Sequence, residues 1–396
     1  MQHLEYQKAN DPAYAAMHDQ AEAQLQAYVA SHSNLRSSSA SAIYTIPVVV
    51  HVVYRTTGQN ISDAQIQSQI DVLNEDFGRT NPDTVNTPVP FQSIAAATNF
   101  QFCLARRDPS GNLTNGIERR STTTTSWSTN DNVKHYSNGG LDAWDVNQYL
   151  NIWVCSIGGG ILGYGEFPGT VHTNTYGVVI IFNSFGRVGL VSPPYNEGRT
   201  CTHEISHCFN LYHIWGDDAG TCGGSDQVAD TPNQTDATYG CYTFPHTDAC
   251  SASSPGIMYM NYMDYSDDAC LNMFTRLQAS RMYNSIHAYY PSLLSSSACQ
   301  LPDGIDEDAL SNLTFSVYPN PSEGMINLDM FSSNIFSEKI TVRVLNTMGQ
   351  IVLEQDITNP VGQVYPLDLT GQPGGIYLVN VSDKDHSRTV RVSIEK

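Results

Sequence analysis

The stretch Ile46-Pro-Val-Val-Val-His-Val-Val-Tyr54 is almost continuously apolar over the length of one strand, the pattern of a strand buried on both faces of a sheet, with His51 inside it as a core residue. The next segment changes period. Ser62 and Gln65 form a capping-box signature, and Ile66, Ile70, Leu73 and Phe77 recur on one helical face, which predicts an amphipathic helix. A further strand over residues 99–105 completes a parallel strand-helix-strand unit. Two more apolar strands follow at 149–155 and 177–182. The triple glycine that begins at Gly158 reads as a turn, because no Lys-Ser/Thr pair follows it and no helix starts there. Leu277, Met282, Ile286 and Tyr290 keep helical spacing over 275–290, and Pro291 ends that helix.

The two ends of the chain differ from this middle. Residues 11–32 predict a helix with Asp11 as N-cap, Pro12 in its first turn and an intermittent stripe of Tyr14, Met17, Ala21, Leu25, Tyr28 and Val29. A Ser-rich joint follows at 37–41. From 313 onward the pattern becomes short alternating strands at 314–318, 325–330, 339–345, 351–355, 375–381 and 389–394, which argues for a small antiparallel sandwich. The expected organisation is an N-terminal helix and joint at 1–40, a domain at 41–294, a Ser-rich then acidic linker at 295–312, and the sandwich at 313–396. The fold class is α/β (α+β), with a mostly parallel twisted sheet, followed by an all-β antiparallel sandwich.

At 396 residues the chain has room for two or three domains. A net charge of −20 with 19 Lys plus Arg argues against nucleic acid or an anionic membrane surface as the main partner. No apolar run approaches the ~18 residues of a transmembrane helix. The first residues lack a signal-peptide profile, so a leader is expected to have been removed ahead of this numbering. Nine cysteines with no Cys-x-x-Cys pair point to disulfides in an oxidising compartment rather than to thiolate metal sites. Cys201 and Cys208 lie seven apart on one helix, about 10 Å along its axis, too far to join each other.

The candidate chemistry sits in Thr202-His-Glu-Ile-Ser-His-Cys-Phe-Asn-Leu-Tyr-His213. His203 and His207, one turn apart on a helix, present two imidazoles to one ion, and Glu204 lies beside them for a water molecule. His213 reaches the same ion only if the chain turns sharply, and Asn210 is the residue placed to adopt the positive φ of that turn. Three nitrogen ligands leave an open position, as in a catalytic rather than a structural zinc site.

This motif resembles that of the metzincin metalloproteases, with Asn210 where their pattern has Gly. Downstream, Asn261-Tyr-Met-Asp-Tyr265 resembles their Met-turn, with Met263 as a floor for the imidazoles and Tyr265 as the tyrosine that can reach the reacting oxygen or simply pack under the site. Together with His213-Ile-Trp-Gly-Asp-Asp, Val228-Ala-Asp-Thr-Pro and Met263-Asp-Tyr-Ser-Asp-Asp-Ala-Cys, the chain over about 43–290 is identified as a member of the pappalysin family, in its bacterial, ulilysin-like branch. The resemblance implies a zinc endopeptidase with protein or peptide substrates, disulfides Cys222–Cys250 and Cys241–Cys270, and a preference for basic residues next to the scissile bond. It also implies a cleft-rim strand at 178–183. Asp217, Asp218, Asp226 and Asp230 in the long polar loop after His213 could bind calcium, as in relatives, or be solvated carboxylates. The N-terminal helix and joint look like a pro-segment, with Arg36 in the joint as a site of self-cleavage. The alternative is a silent metzincin scaffold used for surface adhesion, against which an intact Glu204 argues.

Tyr318-Pro-Asn-Pro-Ser-Glu-Gly, Asn346-Thr-Met-Gly-Gln and Pro373-Gly-Gly-Ile-Tyr, ahead of a basic C-terminal end, resemble the sorting domain of type IX secretion. That resemblance implies the secretion machinery as a partner and a location outside a Gram-negative cell or on its outer surface.

Overall fold

The computed structural model describes residues 4, 8–9, 12–31, 43–169, 173–218, 220–302, 315–330, 339–360, 363–383 and 387–396. Asp11, Arg36 and the Ser-rich joint therefore lie outside the described residues, as does most of the expected linker. The chain divides into two units, Met1–Gln300 and Leu301–Lys396.

The first unit is built on the apolar run recognised in the sequence. Strand β1 (Tyr44–Tyr54) is buried along eight consecutive residues and has partners on both sides. Helix α2 (Asp63–Gly78) crosses to β2 (Phe100–Leu104), which pairs in parallel with β1 from Tyr44↔Phe100 to Val48↔Leu104. Strand β3 (Ile117–Ser121) continues along the same edge of β1, and β4 (Leu150–Cys155) takes the other edge, both parallel. β6 (Gly177–Ile181) is parallel to β4, and β5 (Gly163–Gly165) closes the sheet antiparallel to β6. The buried His51 of β1 bridges Glu118 of β3 and Asn151 of β4 at 2.8 and 2.9 Å, so it is a satisfied core histidine.

Two local expectations are corrected. The strand expected to form the cleft rim at 178–183 lies inside the sheet between β4 and β6's other neighbour β5, so the open edge belongs to Gly163–Gly165. The sequence hides this strand because three residues, two of them Gly, carry no apolar period. At α2, Ser62 accepts from the Gln65 amide, but the Gln65 side chain does not return to the cap. It donates to the carbonyls of Phe182 and Phe185 at 3.0 and 2.9 Å, fixing the loop after β6.

Helix α1 (Pro12–Ser31) and helix α4 (Arg276–Tyr289) pack on one another, and Ala21 and Leu25 of α1 join the main core. Thr275 and Gln278 form a full capping box for α4. The expected linker begins too early. Cys299 is joined to Cys103, and the Arg106 amide donates to the Ala298 carbonyl at 2.7 Å, so residues through Gln300 belong to the first unit.

The second unit holds two antiparallel sheets. One contains β7 (Ser316–Tyr318), β8 (Met325–Asp329) and β11 (Val364–Asp368), in the order β11-β8-β7. The other contains β9 (Lys339–Asn346), β10 (Ile351–Thr358), β12 (Gly375–Ser382) and β13 (Ser387–Ile394), in the order β10-β9-β12-β13. Alternate residues such as Ile326, Leu328, Val342, Val344, Val379 and Val381 fill a core of its own. Strand β11 escaped sequence reading because its period is broken by Pro366.

Because each unit has its own core, a chain ending after Pro302 should fold with the thermal midpoint of the first unit unchanged. A chain ending after Ser297 also loses the Cys103–Cys299 bridge and should be less stable by about 2–5 kcal/mol. Denaturant unfolding of the two truncations under oxidising conditions measures the difference.

Candidate metal centre and cleft

Helix α3 (Arg199–Cys208) carries the first two histidines and is buried along its whole length. Its start is fixed by charge. Gly198 enters the helix at φ 78°, and the Asp268 carboxylate accepts from the amides of Glu197 and Arg199 at 2.8 and 3.2 Å, where the helix dipole favours an anion. The buried Arg199 guanidinium pairs with Asp76 of α2 and, at 2.9 Å, with Asp83. Asp76 also accepts from Thr202 at 2.7 Å and from Tyr262 at 3.1 Å, so α2, α3 and the Met-turn meet on one carboxylate.

The helix ends where the sequence required a turn. Asn210 has φ 74°, and the Leu211 amide donates to the Ser206 carbonyl at 2.9 Å. The chain then reverses and brings His213 back beside the first two. Each imidazole uses Nδ1 on a fixed acceptor: His203 on the Tyr262 carbonyl at 2.7 Å, His207 on the Leu211 carbonyl at 2.7 Å, and His213 on Asp217 at 3.0 and 3.1 Å. This leaves the three Nε2 atoms to converge, with His213 Nε2 3.3 Å from that of His203 and 3.2 Å from that of His207. Four-coordinate zinc with bonds of about 2.0–2.1 Å has ligand edges of roughly 3.3 Å, so the donor set fits zinc. Burial lowers the pKa of His203 to about 4 and pushes His207 and His213 well below the ordinary range, which favours the neutral imidazole, the form able to donate to a metal. Among the described residues this is the one cluster of three or more His, Cys, Asp or Glu donors close enough to share an ion.

Glu204 lines a cleft of about 490 Å³ together with His203, His207, Tyr164, Tyr265 and Asp268. Burial pushes its carboxyl up to about 7, against the opposing Gly165 amide. The edge strand β5 lies directly on it. A Cβ at Gly163 would stand 2.9 Å from Glu204 Cγ, and one at Gly165 would stand 2.6 Å from the Glu204 carbonyl oxygen, so only glycine allows this approach. Met263 is fully buried, with its amide held by Asn261 Oδ1 at 2.9 Å. The Tyr265 ring lies 5.5 Å from that of His203 and 4.9 Å from that of His213, against Trp215 at 5.0 Å.

The long loop after His213 contains the disulfides Cys222–Cys250 and Cys241–Cys270, while Cys155, Cys201 and Cys208 are free and buried. Among the described residues, no three of the four aspartates considered for calcium bring carboxylate oxygens close enough to share one ion. Asp217 orients His213, and Asp218 accepts from the amides of Gly220, Thr221 and Gly224. Asp226 accepts from Val228 and Thr231, and Asp230 from Thr275 and Leu277. Sequence reading missed Asp76, whose only signal was an acid on the apolar side of an amphipathic helix. It also missed Asp268, which lies in a word quoted only for its resemblance.

Comparison with known proteins agrees with this geometry. The family profile described as Pregnancy-associated plasma protein-A matches residues 131–287, and the profile described as Secretion system C-terminal sorting domain matches 316–395. An extracellular metalloprotease of Arthroderma otae is 30% identical over 261 residues, which cover 64% of this chain and 82% of the relative. Mature mirolysin of Tannerella forsythia, solved in complex with a cleaved peptide, is 52% identical with a TM-score of 0.64, covering 67% of this chain and 100% of mirolysin. The chain belongs to the pappalysin family of metzincins. A promirolysin mutant is 47% identical with a TM-score of 0.68, covering 76% of this chain and 97% of that protein. This pappalysin is a zinc metalloendopeptidase, and its C-terminal domain marks it for secretion or attachment to the cell surface.

Replacing Asp76 with Asn should leave the buried Arg199 with Asp83 as its one remaining carboxylate partner and destabilise the first unit by about 1–3 kcal/mol. Urea titration of the variant against the parent measures this.

Proposed function

We propose that His203, His207 and His213 hold the zinc ion and that Glu204 is the general base of peptide-bond hydrolysis. The observation that carries this reading is the buried Glu204 carboxylate lining the same cleft as His203 and His207, with the three Nε2 atoms converging beside it. A zinc ion held by these three histidines would supply Lewis acidity toward the scissile carbonyl and would lower the pKa of a water molecule from 15.7 to about 7. Glu204 takes a proton from the attacking water and passes it to the leaving amine, a transfer suited to a carboxyl lifted into the neutral range by burial. The Tyr265 hydroxyl donates to the oxyanion as it develops. An extended substrate adds to the open edge of β5, where the glycines leave the backbone bare above Glu204. The carboxylate of Asp268, in the wall of the cleft, favours a basic side chain next to the scissile bond. Met263 packs beneath the site and is not a ligand. Asp218 and Asp226 accept from amides of their own loop, Asp217 is taken by His213 and Asp230 by Thr275 and Leu277, so a calcium ion there would share carboxylates that already have protein donors.

Residues 1–40 we assign as a pro-segment. The longer match of promirolysin than of mature mirolysin supports this. None of the described residues of α1 lines the cleft, so that helix does not itself plug the site.

Glu204→Ala should keep its zinc and its fold while losing about 100-fold or more in peptidase activity, because it removes a proton carrier and not a ligand. His213→Ala should lose zinc, since two protein ligands remain. Metal analysis after gel filtration, paired with hydrolysis of a casein substrate, separates the two outcomes. Retention of a tenth of the parent activity by Glu204→Ala would remove it from the mechanism.

Self-cleavage beside Arg36 follows from the basic preference and the exposed joint expected around it. N-terminal sequencing after incubation with zinc should show a new terminus near Arg36 in the parent and none in Glu204→Ala. The same terminus in both would assign the cut to another protease.

A further inference from the structure

The turn that delivers His213 is held from outside the cleft by the N-terminal helix. Arg281 of α4 donates from Nε to the Asn210 carbonyl at 2.7 Å, and its two terminal nitrogens meet the two carboxylate oxygens of Glu22 on α1 at 3.1 and 2.7 Å. The pair is largely shielded, with the Arg281 side chain 10% exposed and that of Glu22 18%. The same guanidinium lies over the ring of Tyr212, 5.2 Å from its centre. The Tyr212 hydroxyl in turn meets His18 Nε2 at 3.2 Å, and its ring packs on Phe167, which packs on the ligand His207. Helix α1 thus grips two of the residues between the second and third histidines, one through Arg281 and one through His18. It does so at the position whose φ of 74° makes the reversal possible.

We propose that Glu22 and Arg281 are positioning residues for the metal centre. The bidentate carboxylate fixes the guanidinium plane, the guanidinium fixes the Asn210 carbonyl, and the carbonyl fixes the path of the chain into His213. An arginine is required because a single ammonium cannot reach both Glu22 oxygens and the Asn210 carbonyl. Removal of residues 12–31 is accordingly felt at the zinc, although no described residue of α1 lines the cleft. This inference rests on the three histidines being the zinc ligands.

The test uses the full chain carrying Glu204→Ala, so that α1 stays attached, and reads the rate at which bound zinc passes to a colorimetric chelator. Glu22→Gln, which keeps the shape and removes the charge, should release zinc about three- to ten-fold faster. Arg281→Lys, which keeps the charge but not the fork, should do the same and covers the case in which the first variant fails to fold. Leu25→Ala loosens the same helix without touching the relay, and it should release zinc at the parent rate when each protein is assayed at the same interval below its own Tm. Parent-like release from both relay variants, or equal acceleration by Leu25→Ala, overturns the proposal. A parent that binds no zinc overturns the ligand assignment and this proposal together.

Discussion

Three imidazoles can meet at one point only if each is prevented from rotating, and the rest of the first unit is arranged around that constraint. Every ring is fixed through Nδ1 by an acceptor from a different part of the chain: the Met-turn carbonyl of Tyr262, the turn carbonyl of Leu211 and the loop carboxylate of Asp217. The first two are backbone groups, so their positions are set by the fold and not by side-chain rotamers. Asp217 differs, because a carboxylate opposite Nδ1 strengthens the basicity of Nε2 as well as orienting the ring. The histidine that arrives by the longest route, after a reversal of the chain, is therefore the one with the strongest orienting partner.

The same constraint explains the density of packing behind the helix. Fixing His203 on the Tyr262 carbonyl requires that the Met-turn and α3 keep their spacing, and the Asp76 cluster does this by joining Arg199, Thr202 and Tyr262 to one carboxylate. A buried ion pair adds little net stability over an apolar contact, but it has one geometry in which all its partners are satisfied. Here that geometry sets the register of three segments far apart in sequence. On the other side of α3, Gly163 and Gly165 let the sheet edge approach until no Cβ would fit, which brings the bare backbone of β5 up to Glu204.

The parts of the structure legible in the sequence are those governed by period or by local spacing. The run from Ile46 to Tyr54 gave the central strand, the helical period from Ile66 to Phe77 gave its crossover, and the i, i+4 spacing of His203 and His207 with Asn210 before His213 gave the centre. What stayed hidden depends on contacts across long separations. A three-residue edge strand has no period of its own, and Cys103 meets Cys299 across 196 residues with nothing local to pair them. Gln65 looked like half of a capping box because its spacing is right. Its side chain instead bonds the Phe182 and Phe185 carbonyls, a choice set by tertiary packing. Arg281 carries no local signal, since neither Glu22 nor Asn210 is near it in sequence.

The aspartate-rich loop after His213 uses most of its carboxylates to hold backbone and hydroxyl donors. The segment has almost no repeating secondary structure, and its backbone amides need acceptors from somewhere. Asp218 takes three of them, Asp248 accepts from Thr235, Cys250 and Ser251, and Asp264 accepts from Thr238 and Tyr265. The acids do within the loop what a ladder partner does within a sheet, and the two disulfides limit how far the loop can open when those bonds break. The protein gains a wall for its cleft that can carry Tyr239, Asp264 and Tyr265 at positions no regular strand or helix would supply. Negative charge concentrated there is thus first a consequence of building an irregular wall.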